Sequence, residues 1–124
     1  MTSSILFLVD HKHRDLPTLA LIGYILKQNF GIRSLFCPLN EENYFIQKLN
    51  PGFIVIPKAN YDFAQLLKFR EDGRRIIVMD TEGNPQEDNY KVRILLEPDL
   101  YLFWNESYMR QYKDDLEAAG VNYV

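Results

Sequence analysis

Cysteine is nearly absent: Cys37 is the only one in 124 residues, so no internal disulfide can staple the chain and stability has to come from a packed core. Long hydrophobic runs are absent too. Nothing approaches the ~20 apolar residues of a spanning helix, and Met1–Ser4 has neither the basic flank nor the cleavage signature of a secretory signal. These absences point to a cytoplasmic protein and leave peripheral membrane association open. Basic residues do not dominate. With 14 Lys and Arg against 17 Asp and Glu, the net charge is −3 and the electrostatic footprint of a DNA- or RNA-binding protein is missing. Glycine is sparse, and none of the six forms a G-x-G-x-x-G after the first strand or a G-x-x-x-x-G-K-[ST], which removes the usual support for dinucleotide and P-loop nucleotide binding.

What remains is the composition of one globular domain, 47% hydrophobic and 25% charged, with eight Phe and eight Tyr supplying bulk for a core. Strand-like and helix-like segments alternate throughout, the pattern of a βα-repeating domain. Ile5–Val9 is apolar without alternation, as a central strand covered on both faces requires. A helix then follows with Pro17 in its first turn and Gly31 as its stop. A strand at Ile32–Leu39 leads to a helix over Glu41–Leu49 capped by Asn40, and a strand at Phe53–Pro57 to a helix over Tyr61–Glu71 that Gly73 ends. Arg75–Asp80 and Leu100–Trp104 read as the fourth and fifth strands, separated by a long polar segment, 81–98. Glu106–Ala119 reads as a helix capped by Asn105 and stopped by Gly120. The predicted fold is α/β, a Rossmann-like three-layer domain with a parallel sheet in the order 3-2-1-4-5(-6). The closing Val121–Val124 reads as the start of a sixth strand with no helix after it, as expected of the amino-terminal part of a longer protein.

Two polar clusters fall at strand ends, where open α/β sheets hold ligands. The first, Asp10-His11-Lys12-His13-Arg14-Asp15, follows strand one; the second, Asp80-Thr81-Glu82-Gly83, follows strand four. In a 3-2-1-4-5 sheet these strands are neighbours, and the clusters would share one crevice. Each residue has a structural alternative. Arg14 is either a bidentate anchor for a carboxylate or phosphate or half of an Arg14–Asp15 pair capping the first helix. Asp80 and Glu82 are either ligand-facing or ordinary loop acids, and Asn105 either lines the crevice or is only a cap. His11-x-His13 could hold a metal only if the segment stayed strand-like, and no third ligand supports it, so no metal is expected. A receiver domain would want an acceptor Asp where strand three ends in Pro57 and Lys58, and a flavodoxin would want a hydroxyl- and glycine-rich first loop; neither is present.

The string LFLVDHKHRDLPTLALIGYIL, the later DTEG and the segment DLYLFWNESYMRQYKDDLEAAGV resemble the amino-terminal domain of bacterial surface-carbohydrate biosynthesis proteins. These are a GT-B-type glycosyltransferase group similar to the Kdo-transferase-like and CDP-glycerol-transferase-like enzymes. The resemblance spans nearly the whole chain and rests on D-x-K-x-R-D-L, on D-T-E-G and on an aromatic strand entering a helix that ends A-G-V. The chain departs from the pattern at Asn84, where a second glycine is expected. The resemblance implies an acceptor-binding half that is catalytically incomplete alone, with a carbohydrate acceptor as partner and a nucleotide-activated donor held by a second domain. It implies no cofactor, since positive side chains and helix N-termini can stabilise the leaving phosphate.

In this picture Glu82 or His11 is the base that takes the acceptor proton, Arg14 anchors an anionic group and Asp15 orients Arg14. His13, Asp80, Gly83 and Asn105 complete the binding surface. The competing expectation is a self-contained Rossmann-like module recognising a small anion or a protein partner. A weaker third is a small hydrolase or phosphotransfer domain with a divalent ion between Asp10 and Asp80.

Overall fold

The computed structural model describes residues 2–57, 61–80, 98–103 and 105–124. Six strands and four helices are seen among them: β1 Thr2–Val9, α1 Lys12–Phe30, β2 Arg33–Pro38, α2 Glu42–Leu49, β3 Pro51–Ile56, α3 Phe63–Glu71, β4 Arg75–Met79, β5 Leu100–Leu102, α4 Glu106–Ala119 and β6 Asn122–Tyr123. The fold is α/β and Rossmann-like, with an open parallel sheet and flanking helices, as the alternating pattern predicts.

The strand order is β2-β1-β3-β4-β5-β6, which corrects the expected 3-2-1-4-5(-6). β3 pairs with β1, Leu6 opposite Ile54 and Phe7 opposite Val55, so it occupies the side of β1 where β4 was expected. The physical reason lies in β2. Its sequence RSLFCP begins with a charge and ends in a proline that cannot donate to a ladder, the makeup of an edge strand, whereas FIVI of β3 suits an interior position. Strands β1 and β4 are therefore not neighbours in the sheet, and residues 81–83 of the second cluster lie outside the described residues.

The chain divides into two compact units, Met1–Val55 and Ile56–Val124. In the first, β1 runs between β2 and β3, and Ser4 through Val9 are all buried. α1 covers the face carrying Phe7 and Phe36, whose rings stack at 5.4 Å, and it approaches closely at Gly23, where a Cβ would lie 2.9 Å from Ser34 Cβ. In the second unit, Leu66 and Phe69 of α3, Ile76 and Val78 of β4, Tyr101 of β5 and Leu116 of α4 form the buried core.

Most helix ends fall where the sequence puts them. Gly31, Gly73 and Gly120 all take positive φ at the predicted stops. Three starts differ. α3 begins at Phe63 rather than Tyr61, with Asp62 as its N-cap accepting from the N–H groups of Ala64 and Gln65. Glu41 rather than Asn40 is the N-cap of α2, Asn40 being in a left-handed turn with φ 75°. α1 begins at Lys12, so Pro17 lies inside it, beyond the first turn.

Candidate functional site

The β1–α1 junction is built around Asp15. β1 ends at Val9, only Asp10 and His11 intervene, and α1 starts at Lys12 with His11 as its extended N-cap residue. The His11 side chain makes no cap bond; instead Asp15 reaches back, and its Oδ2 accepts from the His11 backbone N–H at 3.1 Å. This reverses the usual direction of capping, in the manner of the acidic half of a capping box. Arg14 holds the same carboxylate twice, Nε donating to Oδ1 at 2.6 Å and Nη2 to Oδ2 at 3.1 Å. Asp15 is 6% exposed. The Arg14 guanidinium, with the His11 N–H behind it, outweighs that burial and holds the carboxyl below its usual range. Of the two readings of Arg14–Asp15, the helix-capping pair is the one these bonds display. Asp15 also explains why the helix starts a turn before Pro17: it satisfies an N-terminal donor that would otherwise be orphaned.

His11-x-His13 does not stay extended. His13 is already in the first turn of α1, so the condition for a two-histidine chelate on a strand-like segment fails. Both histidines are exposed. Among the described residues no group of three or more His, Cys, Asp and Glu is placed to hold a metal ion.

Beside this junction, at the carboxyl ends of β1 and β2, lies a half-open cavity of about 350 Å³. Val9, Leu16, Phe36 and Pro38 give it an apolar wall, while Asp10 and Lys12 bring one charge of each sign. Its lining comes entirely from the first unit. Cys37 borders it but offers no nucleophile. Burial, followed by the charges of Glu42 and Glu41, pushes the thiol up to about 12, leaving it protonated at neutral pH. An apolar wall with one acceptor and one cation suits a small polyhydroxylated or anionic molecule that can lay one C–H face on Phe36.

The β1-rim cluster includes Asp10 and Lys12, but the residues of that rim given binding or catalytic roles from sequence, His11, His13, Arg14 and Asp15, are not in the cavity lining, and Leu16, Phe36 and Pro38 carry no sequence role. The β2 contribution follows from register, with Phe7 opposite Phe36 and Val9 opposite Pro38, and no local motif announces it. The topological switch of this strand order lies between β1 and β3; the cavity opens on the other side of β1, toward the edge strand.

The remaining sequence-predicted residues belong to the second unit. Asp80 follows β4, and its Oδ1 accepts from the Tyr101 hydroxyl at 2.9 Å. Tyr101 is fully buried, and that burial, reinforced by the Asp80 charge, raises its hydroxyl far above the ordinary tyrosine range. Asp80 thus supplies the acceptor that a buried phenol needs. The Asn105 carbonyl accepts the Met109 N–H, the first bond of α4, so Asn105 occupies the cap position. Glu82 and Gly83 lie outside the described residues.

A second acid, which the sequence does not advertise, performs a comparable task. Asp99 accepts from the Ile76 N–H at 2.7 Å and from Arg75 at 2.9 Å, and its backbone N–H donates to the Ile76 carbonyl. It ties the start of β5 to β4.

No protein-family model matches the chain, and no curated protein matches it.

Proposed function

We propose that the chain is the acceptor-side domain of a glycosyltransferase of bacterial surface-polysaccharide synthesis, and that the cavity at the ends of β1 and β2 receives the acceptor. One observation carries the reading. The D-x-K-x-R-D-L segment, on which the resemblance to that group rests, supplies Asp10, Lys12 and Leu16 to the cavity wall. Asp10 would accept from an acceptor hydroxyl, Lys12 would neutralise a phosphate or carboxylate on the same molecule, and Phe36 would take the apolar face of a sugar ring. Arg14, held on Asp15, would position the loop rather than grip the ligand. The base that removes the acceptor proton is assigned to His11 or Glu82, and the nucleotide-activated donor to a second domain.

Titrating the isotope-labelled chain with glycerol phosphate and with a phosphorylated oligosaccharide tests the binding half. Saturable amide shifts at Asp10, Lys12, Leu16 and Phe36, weakened in Lys12→Ala, are the expected result. Shifts confined to other residues, or none with either compound, would overturn it. In the transferring enzyme, unchanged turnover by both His11→Ala and Glu82→Gln would take these two out of the chemistry.

A second reading is supported by the confinement of the cavity to the first unit: a self-contained module that binds a small anion. Tight binding of inorganic phosphate, with no gain from an attached saccharide, would favour it.

A further inference from the structure

The cavity at the ends of β1 and β2 is a wedge, and its narrow end lies at a residue that does not line it. Lys12, Leu16, Leu19 and Gly23 follow one another at steps of four, three and four, so they share the face that α1 turns to the sheet. Burial falls steadily along that face. Gly23 and Leu19 are buried, Leu16 is half-buried and Lys12 is exposed. The helix therefore lies close to the sheet at Gly23 and stands away from it at its head, where Leu16 and Lys12 form one wall of the cavity.

The opposite wall is set by register. Alternation puts Ser34, Phe36 and Pro38 on one face of β2, beside Ile5, Phe7 and Val9 of β1. Phe36 belongs to both ends of the wedge. Its ring lines the cavity, yet its Cζ would lie 3.1 Å from a Cβ at position 23. Phe7, 2% exposed, stacks on that ring at 5.4 Å and closes its side toward β1. The spacing between α1 and β2 is thus fixed where Ser34 and Phe36 meet a residue without a side chain.

We propose that Gly23 is the specificity-determining position of this site: by seating α1 on β2 it sets the width between Leu16 and Phe36, and so the thickness of the ring that the cavity admits. A volume of about 350 Å³ is near the lower end of the ~300–1,000 Å³ of ligand sites and gives room for one six-membered ring with its anionic group. The inference rests on the reading of the cavity as an acceptor site and adds to it a positioning residue two helical turns below Leu16. A methyl group at position 23 shows the consequence. Its 2.9 Å approach to Ser34 Cβ is short of the ~3.5 Å at which carbon atoms rest, and rotating the Ser34 hydroxyl does not move that carbon. α1 must lift by about half an ångström, and Leu16 rises with it. The cavity widens while its lining residues stay the same.

Calorimetric titration with phenyl phosphate and cyclohexyl phosphate tests it. The two probes offer Lys12 the same anionic group and differ in ring thickness, one flat and one puckered. In Gly23→Ala the ratio of their affinities should move about threefold or more toward cyclohexyl phosphate. A mere loss of stability weakens both probes alike and leaves the ratio where it was. Ser34→Gly in the Gly23→Ala background transfers the missing Cβ to the strand, and should return the ratio toward that of the parent although glycine weakens the strand. A crystal structure of unliganded Gly23→Ala should show a wider gap between Leu16 and Phe36, which reads the geometry without any ligand. An unmoved ratio, an unwidened gap, or a shift that Ser34→Gly leaves in place overturns the role of Gly23 alone. If the parent binds neither probe, the acceptor reading of the cavity falls, and the specificity assigned to Gly23 falls with it.

Discussion

Two strands that read almost alike are buried differently. In the first unit β1 carries Ile5, Leu6, Phe7, Leu8 and Val9, each 9% exposed or less, so both faces of the strand are covered. In the second unit β4 carries Ile76, Ile77, Val78 and Met79, yet only Ile76 and Val78 are fully buried, while Ile77 and Met79 are half-buried. β5 repeats the pattern: Tyr101 is buried between half-buried Leu100 and Leu102, which lie in register with Ile77 and Met79. An apolar run therefore specifies a strand without specifying how many of its faces are sealed. What differs is the reward for each side chain, and the two units compensate differently. The first relies on a strand sealed on both sides, the second on acids that tie strand ends together.

The largest expected effect tests that contrast directly. Leu6→Ala removes a side chain with no exposure and should cost about 3–4 kcal/mol, whereas Ile77→Ala on the half-buried face should cost about 1–2 kcal/mol. Urea unfolding of both variants decides it; equal losses would show that β4 is as tightly enclosed as β1. Next comes Asp99→Ala, which strips the Ile76 N–H and Arg75 of their shared acceptor and should cost about 2–3 kcal/mol. Hydrogen exchange should then rise at Ile76 first. If Ile76 exchanges as slowly as before, the strand-end tie is not what holds β5 to β4.

Much of the fold is written locally. The non-alternating ILFLV marks a central strand, and glycines placed after periodic segments mark helix ends at Gly31, Gly73 and Gly120. The strand order is not local, because β3 can pair with either edge of the β1–β2 pair without altering any helix or strand assignment. The one legible hint is Pro38, which makes β2 an edge strand and so directs β3 to the other side of β1. The site divides in the same way. Asp10 and Lys12 are visible as strand-end polar residues, but Phe36 and Pro38 reach the cavity through parallel register with β1. Arg14 and Asp15 look equally suited to ligand and to structure in sequence; only burial of the carboxylate on the His11 N–H separates the two.

The contrast also concerns how closely layers approach. Gly23 lets α1 settle on β2, and a Cβ there would meet Ser34 Cβ and Oγ at 2.9 and 3.0 Å and Phe36 at 3.1 Å. Gly23→Ala gains helix propensity but must push the helix off the strand, a net cost of about 1–2 kcal/mol by thermal unfolding. Ser34 Oγ has no hydrogen-bond partner among the described residues, so Ser34→Ala removes an unsatisfied hydroxyl from the same contact. Combined with Gly23→Ala it should recover part of the loss. A fully additive pair would mean that the two side chains do not compete for one space.

An effect no larger than that of Gly23→Ala isolates the charge at the head of α1. Asp15→Asn keeps an oxygen for the His11 N–H but removes the negative charge that Arg14 grips, and should cost about 1–2 kcal/mol near neutral pH. Its pH dependence has a definite sign. The folded-state pKa of Asp15 is depressed, chiefly by the Arg14 hydrogen bond, relative to an unfolded value of about 3.9. The stabilisation is therefore fully present above that unfolded value and is lost as pH falls through the folded one. Urea midpoints for parent and variant should run parallel from neutral pH down to about pH 5 and converge below about pH 4. A gap that persists unchanged into that acid range would mean the carboxylate charge contributes nothing, leaving the neutral cap bond to hold the β1–α1 junction on which the cavity wall depends.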